Sequence, residues 1–206
     1  MAAPTFLALG DSYTIGEGVP EAGRWPVQLV ARLHAEGVVV GDPRIVATTG
    51  WTTDELSAAM DQAHLHPGHG LVTLLIGVNN QYRGRPATEY REQFLALLQR
   101  AIGLAGDARR VVVVSIPDWG VTAFAEGRDR TAIGRDIDTF NAIAKDETLR
   151  AHARWADVTP ASREAGAKHD MLVDDGLHPS AKQYGRWVDV ILPEARAALR
   201  ELPSSR

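Results

Sequence analysis

The chain of 206 residues contains no cysteine. That excludes disulfides, thiolate nucleophiles and cysteine-ligated metals, and it leaves the redox compartment open. Basic charge is also short: 22 Lys and Arg stand against 26 Asp and Glu, a formal net charge of −4. Nothing in this balance supplies the cationic face that nucleic acid requires, so no nucleic-acid partner is expected. No Gly-x-x-x-x-Gly-Lys-Ser/Thr loop occurs, and Gly16-Glu17-Gly18 lacks the third glycine and the helix start of a dinucleotide fingerprint. The Gly-x-Ser-x-Gly elbow of α/β-hydrolases is missing too. No cofactor is expected. Met1-Ala2-Ala3-Pro4 runs straight into an apolar strand with neither a basic n-region nor an apolar h-region, which makes the cytoplasm the expected compartment. Hydrophobic residues make up 45% of the chain, enough for one core without a membrane span. The length suits a single domain over residues 1–206 with no stable membrane insertion.

What is present begins at Phe6-Leu7-Ala8-Leu9-Gly10-Asp11-Ser12-Tyr13-Thr14-Ile15-Gly16-Glu17-Gly18. An apolar run of strand length breaks into small and polar residues around one serine, a pattern that predicts a buried strand delivering a nucleophile to a loop. A serine hydroxyl is a weak nucleophile until a base with an orienting carboxylate lies within reach. Asp174-Asp175-Gly176-Leu177-His178-Pro179 offers both, because Asp175 three residues before His178 can fold into one turn and accept from a ring nitrogen. Two further strand-like runs end in polar punctuation: Ile45-Val46-Ala47-Thr48-Thr49-Gly50 and Leu71-Val72-Thr73-Leu74-Leu75-Ile76-Gly77-Val78-Asn79-Asn80. An accessible glycine N–H and an amide NH2 are the donors an oxyanion hole needs.

These motifs sit in a regular alternation. The expected strands are Thr5 to Leu9, Arg44 to Thr48, Leu71 to Ile76, Val111 to Ile116 and Arg154 to Val158. The expected helices run from Trp25 to Glu36, from the Thr52-Thr53-Asp54-Glu55 capping box to about Ala63, and from Thr88 to Leu104. Two more run from Ile133 to Arg150 and, with Pro193 as a kink, from Ser180 to Leu202. Repeated strand-then-helix units imply a three-layer α/β/α architecture around a mainly parallel five-stranded sheet, with ligands at the carboxyl ends of the strands. Ser12, Gly50 and Asn79 all follow strands. Trp51, Tyr82, Arg83 and Trp119 follow strands two, three and four, and with Tyr13 they are the expected pocket wall. His64-Leu65-His66-Pro67-Gly68-His69 precedes the third strand, so it falls at the opposite end and reads as a solvated turn rather than a metal site.

With Ser12, Gly50, Asn79 and His178 in that order, the chain resembles the SGNH hydrolases, also called GDSL esterases and lipases. The resemblance rests on Gly10-Asp11-Ser12-Tyr13, the glycine of Thr49-Gly50-Trp51, Gly77-Val78-Asn79-Asn80 and Asp175-Gly176-Leu177-His178, and covers nearly the whole length. It implies a flavodoxin-like sheet of order 2-1-3-4-5. It also implies a metal-independent serine esterase acting on a small-molecule ester, with catalytic Ser12, Asp175 and His178 and an oxyanion hole of Ser12, Gly50 and Asn79. The chain departs from the family pattern at Tyr13, where Leu is usual, and at Asn80, where Asp is usual. A catalytically silent carbohydrate- or acyl-binding module on the same fold is the alternative, because fold does not fix function.

Overall fold

A computed structural model describes residues 3–200. Five strands, β1 (Phe6–Gly10), β2 (Pro43–Ala47), β3 (Leu71–Leu75), β4 (Val111–Val114) and β5 (Arg154–Ala156), form one sheet in the order β2-β1-β3-β4-β5. Every neighbouring pair is parallel. Strands β1, β3 and β4 are almost wholly apolar and buried at every position. Such strands are stable only where helices cover both faces. The edge strand β2 is partly exposed and correspondingly mixed in composition.

The helices are α1 (Ser12–Ile15), α2 (Trp25–Ala35), α3 (Thr53–Gln62), α4 (Val78–Tyr82), α5 (Ala87–Ala105), α6 (Arg130–Arg150), α7 (Thr159–Ala165) and α8 (Ala181–Arg200). One layer is built on the α2–α8 pair and the other on α3, α5 and α6. Helix α8 presents Tyr184, Trp187, Val188, Ile191, Ala195 and Ala198 to the sheet at i, i+3, i+4 spacing, all fully buried. Each large side chain in that stripe contributes about 1.5–3 kcal/mol by leaving water. Trp187→Ala would therefore cost about 3–5 kcal/mol once its cavity is included. The helix runs through Pro193 without interruption. Its expected end at Leu202 lies outside the described residues.

Strands β3, β4 and β5 stop short of their expected ends, where residues beyond them bond elsewhere. The Ile76 carbonyl accepts from the Tyr90 hydroxyl at 3.2 Å. The Ile116 N–H donates to Asn141 Oδ1 at 2.8 Å, and the Val158 N–H to Ser115 Oγ at 2.8 Å. Helix α6 starts three residues before the expected Ile133, because the Asp129 carboxylate accepts from the Ala132 N–H and caps it. What matters for function is register: Gly10 lies level with Ala47 on one side and Leu75 on the other. The segments carrying Ser12, Gly50 and Asn79 thus leave three adjacent strands at the same edge, where the strand order switches from one side of β1 to the other.

Candidate active site

Ser12 stands on a turn with no room for variation behind it. A Cβ on Gly10 would lie 2.2 Å from Thr14 Oγ1 and 2.6 Å from the Leu75 carbonyl oxygen, so only glycine lets the chain pass here. Asp11 Oδ1 then accepts from the Tyr13 N–H at 3.0 Å and caps a one-turn helix. The expected loop is therefore α1, with Ser12 as its first residue and Gly16 closing it at φ 76°. Its N–H is one of the donors a helix start leaves without an intrahelical acceptor. Trp25, fully buried, braces the turn by donating from Nε1 to the Tyr13 carbonyl at 3.0 Å. Asp11 is itself fully buried and its Oδ2 has no partner. Loss of hydration pushes its carboxyl up to about 7, against the smaller opposing effect of the Tyr13 N–H. It organises the turn and faces no solvent.

The segment 172–179 closes on itself through a bridge between Leu172 and Pro179 and the Val173 N–H to His178 carbonyl bond. Inside it, Asp175 Oδ1 accepts from the N–H groups of Leu177 and His178 at 2.8 and 2.9 Å. Oδ2 meets His178 Nδ1 at 2.6 Å. A carboxylate there places the ring proton on Nδ1 and leaves Nε2 as the basic nitrogen. Partial burial works to raise the Asp175 pKa, but the bonds from the His178 ring and the two backbone N–H groups outweigh it and hold the carboxyl below its usual value. The imidazole is buried, with the Tyr13 ring centre 5.6 Å from its own. Tyr13 packs in turn on Trp187 at 5.9 Å. The aromatic residue in place of the usual Leu thus fills the space between the histidine and the core. Asp174 is exposed.

The other two motif residues are held by a lattice of bonds between the loop after β2 and helix α4, which follows β3 in place of the expected loop. Gly50 has φ 89°, a left-handed conformation that favours glycine although a Cβ would meet nothing closer than 3.8 Å. Its carbonyl accepts from Arg83 Nη2 at 2.7 Å. Arg83 also pairs with Glu55 at 3.4 Å, the carboxylate of the α3 capping box. Asn79 Nδ2 donates to the Trp51 carbonyl at 2.9 Å, which orients the amide and leaves its second hydrogen. Asn80, fully buried, accepts from the Thr53 N–H at 3.1 Å and donates to Thr53 Oγ1 at 2.7 Å. It uses both functions of an amide, and a carboxylate lacks the donor half of that pair.

Ser12, Gly50, Asn79 and His178 line one cleft of about 190 Å³. Among the described residues no hydrogen bond yet joins Ser12 Oγ to His178, as is common before substrate tightens a site. Of the expected wall residues, Tyr13, Tyr82 and Trp119 line this cleft. Trp51 and Arg83 do not: Trp51 packs against the core and contributes its carbonyl, and the Arg83 guanidinium is drawn to Gly50 and Glu55 instead. Phe124, Leu177, Val78 and Thr49 line it without having been expected. The signal for Phe124 was a second large ring five residues after Trp119 in the loop that follows β4. Trp119 is fixed by donating from Nε1 to Gln81 Oε1 at 2.8 Å.

The histidine-rich stretch lies before β3, at the far end of the sheet. His64 and His66 are exposed, but His69 is buried against Thr5, with Nδ1 2.9 Å from Oγ1. The solvated turn is thus only partly solvated, and burial lowers the pKa of His69. Among the described residues no group of three or more His, Asp or Glu is placed to hold a metal ion, and no helix is long and apolar enough to cross a membrane.

The sequence and the fold both have known relatives. The chain is 23% identical over 203 residues to esterase TesA of Pseudomonas aeruginosa, an alignment that covers 96% of this chain and 90% of that protein. A crystal structure of TesA superposes with a TM-score of 0.74 at 20% identity, covering 94% of this chain and 99% of the other. Axe2, an acetylxylan esterase from Geobacillus stearothermophilus, superposes at 0.67 with 20% identity, covering 98% and 95%. The model of the GDSL-like lipase/acylhydrolase family matches residues 8–186. The chain therefore belongs to that family of carboxylic ester hydrolases.

Proposed function

We propose that this ester hydrolase works through Ser12 and an acyl-enzyme intermediate, on esters of short acyl chains such as an acetylated sugar. The observation that carries the reading is that Ser12, His178 and two independent hydrogen-bond donors, from Gly50 and Asn79, line a single cleft. Ser12 Oγ attacks the acyl carbon while His178 Nε2 takes its proton. Asp175, 2.6 Å from Nδ1, stabilises the imidazolium that forms. The Ser12 N–H, the Gly50 N–H and Asn79 Nδ2 receive the charge on the carbonyl oxygen. Collapse expels the alcohol with the proton from His178, and water repeats the sequence to release the acid.

The short-acyl preference is supported by size and lining. The cleft, about 190 Å³, is small beside the roughly 300–1,000 Å³ of pockets that take drug-sized ligands. Trp119, Phe124, Leu177 and Val78 give this small cleft an apolar lining suited to a short chain. A panel of 4-nitrophenyl esters from acetyl to dodecanoyl, assayed below micelle-forming concentrations with Ser12→Ala as control, tests both parts. Turnover is expected to peak between acetyl and butyryl and to vanish in the variant. Faster dodecanoyl turnover would overturn the chain-length reading, and full activity in Ser12→Ala the mechanism.

A further inference from the structure

Tyr82, Trp119 and Phe124 form a triangle of rings with centres 5.4, 6.1 and 6.4 Å apart. All three line the cleft that Ser12 opens into. The guanidinium of Arg128 caps this triangle, its carbon 5.5 Å from the Tyr82 and Trp119 ring centres and 5.1 Å from that of Phe124. Nη2 also lies 3.4 Å from the Tyr82 hydroxyl.

Three features make this more than a packed surface arginine. Arg128 is exposed, and among the described residues no carboxylate pairs with it. The nearby Asp129 carboxylate is spent on the α6 cap, and Arg130 donates to the Thr122 carbonyl at 3.1 Å. The segment is also tied down: the Arg128 N–H donates to the Ala125 carbonyl, and the Phe124 N–H to the Gly176 carbonyl in the histidine loop. A cation held by three aromatic quadrupoles keeps its charge and most of its N–H donors while losing its rotamer freedom in advance. On the loop after β2 the cleft-lining Thr49 donates to the Glu17 carboxylate, so that side of the site carries an anion.

We propose that Arg128 is a specificity-determining residue, a subsite that selects esters carrying a carboxylate on the half lying against the Tyr82–Trp119–Phe124 wall. The guanidinium fork takes a carboxylate in two parallel bonds, a geometry that neither a neutral nor a cationic group reproduces. This inference rests on the serine-esterase reading for its catalytic consequence, but the subsite itself is a matter of binding.

Two assays separate them. The first compares kcat/KM for 4-acetoxybenzoate with 4-methylphenyl acetate, and for monophenyl adipate with phenyl hexanoate, each ratio corrected for hydroxide-catalysed hydrolysis. This covers a carboxylate on either half of the ester. In one pair the wild type should favour the anion about tenfold at low salt, falling toward unity at 1 M NaCl, where the screening length is about 3 Å. Arg128→Met, which keeps apolar cover over the rings, should lose the preference, and Arg128→Lys should keep part of it. Because the readout is a ratio, a general loss of activity leaves it unchanged. The second assay measures calorimetric binding of the uncleavable amides 4-acetamidobenzoate and 4-methylacetanilide to wild type and Arg128→Met. Tighter binding of the anion that disappears in the variant, with no ester turned over, would sustain the subsite and reject the serine mechanism. Turnover with flat ratios in both pairs, or a preference that survives in Arg128→Met, would reject the subsite and leave the mechanism standing.

Discussion

Replacing Asp175 by Asn removes one negative charge and little else. Oδ1 of an asparagine still accepts from the N–H groups of Leu177 and His178, so the turn that Asp175 organises at 2.8 and 2.9 Å is kept. The change falls on the second oxygen, 2.6 Å from His178 Nδ1. An NH2 group there donates where a carboxylate accepted, which forces Nδ1 to be unprotonated and moves the ring proton to the nitrogen that must accept from Ser12. The lost charge has its own effect on the imidazolium formed during attack. A pair at about 4 Å is worth about 4 kcal/mol at an effective dielectric of about 20 and about 1 kcal/mol in water. Asp175 is 42% exposed, so the true value lies between these limits, about 5- to 10³-fold in rate. With the tautomer effect added, the expected loss in kcat is about 10–10⁴-fold, the upper end being that of a serine protease triad. Asp174→Asn, on an exposed side chain, should stay within about threefold of wild type. The assay is kcat/KM for a 4-nitrophenyl ester across pH 5–9, with circular dichroism to confirm folding. Equal losses in the two variants, or a larger loss in Asp174→Asn, would refute the pairing of Asp175 with His178 as the working contact.

Asn79→Ala should lower kcat about 10²–10³-fold with a smaller change in KM, because its amide is needed most when charge builds on the substrate oxygen; a change confined to KM would reassign it to ground-state binding. Arg83→Met releases the Gly50 carbonyl and Glu55 together, and kcat should fall about tenfold. A lower Tm with kcat unchanged would show that this arginine serves only the fold. Asp11 gives a pH prediction. Its folded pKa, about 7, stands above its unfolded value, so the folded state holds the proton longer. The stability this confers is complete below the unfolded pKa and is lost as pH rises through about 7. Asp11→Asn removes that dependence, so its stability relative to wild type should climb by about 2–3 kcal/mol between pH 5 and 8 in urea unfolding. A constant difference would contradict the assignment of a buried, protonated Asp11.

The sheet was legible because its signal is strong and redundant. The runs at Phe6, Leu71 and Val111 are too apolar for anything but strands covered on both faces, and the intervening helices carry clear stripes and a capping box. The four motif residues were legible because each follows a strand or precedes α8. What escaped were short elements whose stability is tertiary. Helix α7 has a proline near its start and Gly166 after its end, but at seven residues it shows no apolar period. Helix α1 is a single turn held by Asp11 and Trp25, and no pattern in four residues predicts that. Side-chain direction escaped as well. Arg83 and Trp51 sit where they were expected, yet one points to a carbonyl and the other into the core, whereas Phe124 turns toward the cleft from a loop with no apolar period to give its side chains a direction.

The claim that most needs a direct measurement is that Ser12 is the nucleophile. Incubation with a 4-nitrophenyl alkylphosphonate, followed by counting of released 4-nitrophenolate and mapping of the labelled peptide by mass spectrometry, reads it without any knowledge of the natural ester. One equivalent should be released per chain, with the phosphonyl group on Ser12, complete loss of esterase activity, and neither label nor turnover in Ser12→Ala. A label on another residue, or wild-type turnover in the unlabelled Ser12→Ala protein, would contradict it.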